Sequence, residues 1–108
     1  MSKKPTEYKL EVNINGNKIK KVLIGRHYLK KHSSYMNDAL ILELVMALNG
    51  HTFPVDSSTN DTDYFVADIQ MESSNKIYRI IWLFEGASLE VLGVINAYRR
   101  LNKKRSKI

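Results

Sequence analysis

Ile77-Tyr78-Arg79-Ile80-Ile81-Trp82-Leu83-Phe84, then the turn Glu85-Gly86-Ala87-Ser88, then Leu89-Glu90-Val91-Leu92-Gly93-Val94-Ile95-Asn96-Ala97-Tyr98 decide how the chain is built. The first run is strand length and nearly unbroken by polar residues, the pattern of a central strand covered on both faces. The second predicts a neighbouring antiparallel strand. Upstream, Tyr64 to Met71 reads as a third strand, joined to Ile77 by the turn residues Ser73-Ser74-Asn75-Lys76. Together they predict a three-strand antiparallel meander.

Working back, Phe53 to Asp63 is rich in Ser, Thr, Asn and Asp and reads as a polar loop. Before it, Leu40, Leu44 and Leu48 fall four apart, with Ile41, Val45 and Met46 widening the stripe. That spacing predicts a well-buried amphipathic helix over 39–48, ended by Asn49-Gly50, with Asn37 or Asp38 as its cap. His27 to His32 reads as a short helix. At the start, Tyr8 to Ile14 alternates polar and apolar residues, and Asn15-Gly16 is a strong hairpin signal. Ile19 to Ile24 is the returning strand, although Val22-Leu23-Ile24 blurs the alternation. The predicted fold is α+β: an antiparallel sheet, made of an N-terminal hairpin and a C-terminal three-strand meander, with one or two helices on one face. One domain spans 1–108, with 1–6 and 101–108 expected to be disordered basic tails. Met36, Met46 and Met71 are expected as core fillers, and Trp82 and Leu44 as partners in the core.

The 108 residues contain no cysteine, which excludes disulfides and thiolate chemistry. Neither a signal peptide nor a membrane-length apolar run is visible, so a cytoplasmic, soluble protein is expected. No cofactor or metal motif is present: the glycines are isolated, and His27 and His32 are five apart, the wrong spacing for a zinc pair on a helix.

The charge is +6 overall and strongly segregated. Residues 1–32 carry nine Lys or Arg and two Glu; residues 33–75 carry seven acids and neither Lys nor Arg; residues 76–108 carry eight Lys or Arg and two Glu. If the two basic ends meet, one face is positive and another negative. A positive face of this kind attracts polyanions. The alternative is a solvated surface with no partner.

The pair of strands over 77–84 and 89–100 resembles the C-terminal half of the RelE/ParE toxin superfamily. There a Tyr-Arg-hydrophobic strand turns into a hydrophobic-Gly-hydrophobic strand that ends in a His, Tyr or Arg cluster. The helical segment before the meander, basic at its start, fits the same layout, and the resemblance covers about residues 25–100. An opening hairpin and the acidic loop over 56–63 depart from the pattern. The resemblance implies a metal-independent endoribonuclease, the toxin of a toxin–antitoxin pair. Its RNA target would be free or ribosome-associated, and an acidic antitoxin protein would cover its basic face. It also implies roles. Arg79 would hold the phosphate, Tyr98 would donate a proton or stack on a base, and His27 would be the general base for 2′-OH attack. Lys30, Lys31, His32, Arg99, Arg100, Lys103 and Lys104 would bind the nucleic acid. Each residue also has a plainer reading: Arg79 paired with a carboxylate such as Asp68, Tyr98 an ordinary strand-end aromatic, the histidines structural. Two further functions fit the same charges, a non-catalytic nucleic-acid or ribonucleoprotein binding module and a protein-interaction module of a mobile element.

Overall fold

In the computed structural model, residues 5–71 and 75–100 are described. The order is β1 (Thr6–Ile14), β2 (Asn17–Ile24), α1 (Leu29–His32), α2 (Asp38–Leu48), β3 (Ser57–Thr59), β4 (Thr62–Met71), β5 (Lys76–Glu85) and β6 (Val91–Arg100). The six strands form one sheet in the order β1-β2-β6-β5-β4-β3. The α+β class and the meander stand, but the sheet is mixed. β2 runs parallel to β6, pairing Lys21 with Val91 through Ile24 with Val94. The predicted all-antiparallel sheet is therefore corrected. The helical segment after β2 begins a crossover, which passes through β3, β4 and β5 before the chain reaches β6.

The hairpin forms as its turn demands. Asn15 and Gly16 both take positive φ, 56° and 78°, the pair of left-handed residues that a two-residue turn needs. The blurred alternation in β2 has a structural counterpart: pairing with β1 shifts register between Lys9 and Val12, so Ile19 and Val22 are both buried although three apart. Thr6 already pairs with Ile24, so the first strand begins inside the expected N-terminal tail.

The loop expected over 53–63 contains the short strand β3, paired with β4 through a turn at Asn60 and Asp61, both at positive φ. Every residue of β3 is exposed and polar, so no burial pattern announces it. Leu89, expected in the last strand, lies in the β5–β6 turn at φ 55°.

Helix α2 packs on one face of the sheet, against β1 and β5. Asn37 caps it, its side chain accepting the Leu40 N–H at 2.8 Å. Its buried stripe is Ile41, Leu44, Val45 and Leu48. All four belong to the predicted stripe; Leu40 is half-buried against the same core, and only Met46, 48% exposed, departs from it and fills no core. Leu44 and Trp82 are both fully buried members of one core with Ile14, Val22, Ile24, Ile80, Leu92 and Ala97. Phe53 meets Trp82 edge-on, and Phe65 stacks on it.

The other face of β5 carries Ile77, Arg79, Ile81 and Leu83, all half-buried. Among the described residues no helix covers this face, so β5 is central in the sheet but not sealed on both sides.

Candidate nucleic-acid interface

β2 pairs with β6 only as far as Ile24 and Val94. The Gly25 N–H still donates to the Val94 carbonyl, and there the chain leaves the sheet. At the same point β6 carries an extra residue, Ile95, where pairing with β5 jumps from Trp82–Val94 to Ile81–Asn96. The rest of β6 is flanked by the α1 segment instead of a strand. Tyr35 accepts the Arg99 N–H at 3.1 Å. The His32 ring stacks on Tyr98, centroids 5.3 Å apart and planes at 29°.

This junction leaves a pocket of about 230 Å³ lined by His27, Lys31, His32, Asn96 and Tyr98. Two imidazoles, an ammonium, a phenol and an amide thus meet in one hollow. Tyr98 is the cross-strand partner of Arg79, and Arg79 in turn of Asp68, so the pocket continues into a row of polar groups on the open face. The antiparallel register of β5 and β6, expected of a meander, brings the end of β6 beside Arg79.

Arg79 is not free. It donates to Asp68 through Nε at 2.8 Å and a terminal nitrogen at 3.2 Å, a bidentate pair. Arg100 donates to the same carboxylate at 2.7 Å. The hydrogen bond from Arg79 is the main influence holding the Asp68 carboxyl below the usual carboxylate range; burial opposes it and Arg100 assists. Asp68 in turn is the main influence holding Arg79 protonated well above the ordinary arginine value, with Tyr98 adding to it.

Of the predicted site residues, His27, Lys31, His32 and Tyr98 share the pocket and Arg79 adjoins it. Lys30 is exposed on α1 and does not line the pocket. The Arg99 guanidinium lies over the Tyr35 ring, 4.4 Å from its centroid. Arg100 is engaged by Asp68, and Lys103 and Lys104 lie outside the described residues. Asn96 and Tyr35 belong to the site and were not singled out by the sequence; neither carries a motif, and only the β6 bulge and the crossover bring them there. Among the described residues no three His, Asp or Glu side chains gather as a metal site would.

The charge segregation runs across the sheet from edge to edge instead of face to face. Lys9, Lys18, Lys20 and Lys21 lie on β1 and β2 at one side, and Asp61, Asp63 and Asp68 on the β3–β4 hairpin at the other. Two acids of the middle segment cross to the basic ends: Asp68 to Arg79 and Arg100, and Asp38 to Arg26 at 3.3 Å.

Comparison with family models, with curated proteins and with solved structures finds no match to this chain.

Proposed function

We propose that the protein is a metal-independent endoribonuclease of RelE/ParE type, the toxin of a toxin–antitoxin pair. The observation that carries this reading is the pocket of His27, Lys31, His32, Asn96 and Tyr98, with Arg79 next to Tyr98. Cleavage by 2′-OH attack needs a base, a cation for the phosphorane charge and a proton for the 5′ oxygen. His27, exposed at the mouth, takes the 2′-OH proton. Lys31 and Arg79 bind the phosphate, and Tyr98 stacks on a base or supplies the proton. The basic edge formed by β1 and β2 draws in the polyanion, and an acidic antitoxin competes for the same charges.

A second reading, RNA binding without cleavage, is favoured by one specific contact: Asp68 neutralises Arg79 and Arg100, and a phosphate has to displace it. Purified protein incubated with RNA in chelator separates the two. Cleavage by the wild-type protein, lost in Arg79→Ala with the melting temperature nearly unchanged, supports the nuclease. Tyr98→Phe should slow cleavage more than it weakens binding, because a lost proton donor matters in the transition state. Binding that weakens steeply with salt but leaves RNA intact supports the binding module. Absence of binding even at low salt removes both. Induced expression, with growth and total RNA followed together, tests the toxin assignment.

A further inference from the structure

Tyr35 joins two groups on opposite sides of its hydroxyl. Its Oη accepts the Arg99 backbone N–H at 3.1 Å and lies 2.9 Å from Nδ1 of His32. A peptide N–H can only donate, so it occupies a lone pair of the phenol oxygen. The phenol then fills both its roles, acceptor and donor, when its own proton goes to His32 Nδ1. The hydrogen bond at one ring nitrogen of a histidine decides which tautomer the other presents. With Nδ1 accepting from Tyr35, neutral His32 carries its proton on Nε2.

The ring is also held in place. It lies against Tyr98, a wall of the same pocket, while Tyr35 is itself pinned beneath the Arg99 guanidinium. His32 is half-buried, whereas His27 is exposed. We infer that His32 is a fixed hydrogen-bond donor of the pocket, oriented by Tyr35, and that its Nε2–H binds a phosphate oxygen of RNA beside Lys31. Tyr35 is a positioning residue and acts through His32. A neutral His32 with Nδ1 engaged and Nε2 protonated has no lone pair free to take a proton, which leaves His27 as the imidazole available for base chemistry. The ligand in this inference rests on the RNA reading above; the tautomer does not.

The tautomer is read directly from long-range proton–nitrogen correlations of the histidine rings in labelled protein, at about pH 8.5, some two units above the ordinary histidine value of ~6.5. The expected wild-type pattern for His32 is protonation at Nε2, and in Tyr35→Phe a mixture of tautomers. Protonation at Nδ1 in the wild type, or no change in Tyr35→Phe, overturns the inference. Affinity is measured with an uncleavable 2′-O-methyl RNA oligonucleotide. His32→Ala should weaken binding about tenfold, the usual worth of one hydrogen bond to a charged group, Tyr35→Phe by the smaller factor that its tautomer mixture sets, and His32→Gln, which keeps an N–H donor, should recover most of the His32→Ala loss. No binding by wild-type protein at low salt overturns the RNA reading and the donor role with it. Binding indifferent to His32→Ala and Tyr35→Phe overturns this inference alone.

Discussion

The two faces of the sheet hold their carboxylates in opposite ways. On the helix-covered side, Asp38 opens α2 and takes hydrogen bonds from the hydroxyls of Tyr8 and Tyr28 and from Arg26. Arg26 also donates to Thr6 at 2.6 Å, so β1, the end of β2 and α2 are tied at one point. On the uncovered side, Asp68 lies between Arg79 and Arg100. The Asp38 side chain is 19% exposed and that of Asp68 35%. Tyr28 is buried, so Asp38 cannot leave without stranding a hydroxyl. The partners of Asp68 face water and can exchange it for another anion. One carboxylate fastens the layers together; the other occupies a place that a phosphate could take.

The largest effect expected on this contrast lies beneath the covered face. Leu44→Ala should cost roughly 2–5 kcal/mol, the range for a buried leucine, in a urea denaturation curve. A loss under about 1 kcal/mol would mean that α2 does not seal the core. Asp38→Ala should come next, at about 1–3 kcal/mol, because it leaves a buried phenol without its acceptor.

The pH dependence should mark the same site. Burial works against ionisation of Asp38, but the hydrogen bonds from Tyr28 and Tyr8 and the charge of Arg26 outweigh it and hold the carboxyl below its ordinary value. Its contribution is complete above the unfolded carboxylate value and is lost as pH falls through the folded one. Burial, helped by the bond to Asp38, pushes Tyr28 the other way, from 10.0 to about 12. That contribution is complete below the unfolded value of 10.0 and is lost as pH rises toward about 12. Denaturation midpoints followed across pH should therefore droop at both ends, and Tyr28→Phe should diminish the alkaline droop.

The smallest change in stability is expected on the open face. Asp68→Asn should cost no more than about 1 kcal/mol, as exposed ion pairs do. Its effect should appear instead in RNA affinity at low salt, which should rise as Arg79 and Arg100 are released. A loss of several kcal/mol, or an unchanged affinity, would erase the distinction between the two carboxylates.

What the residues disclosed beforehand follows from range. The hairpin, α2 and the meander are written in local signals, Asn15-Gly16, the apolar repeat and the turn residues, and each formed. The parallel pairing of β2 with β6 has no local signature, because its partners are far apart in the chain and either orientation satisfies the same apolar pattern. β3 was invisible for another reason, its three residues burying nothing. Arg79 and Tyr98 as neighbours were legible once an antiparallel meander was assumed. His27, Lys31 and His32 were visible only as basic residues on a short helix. Their meeting with Asn96 depends on a bulge and on the place where β2 stops.

The last described strand is also one of the middle ones, and that has a consequence for how the chain is made. On the ribosome the hairpin, the helices and β4–β5 all emerge before β6, and until then the hairpin and β5 each present a bare inner edge. Closure across so long a span of chain is slow and favours the complete polypeptide over any fragment. His27, Lys31 and His32 are synthesised early but acquire Asn96 and Tyr98 only when β6 slots between its neighbours. A nascent chain therefore carries half a pocket, and the whole one appears only once translation has passed Tyr98 and β6 has docked.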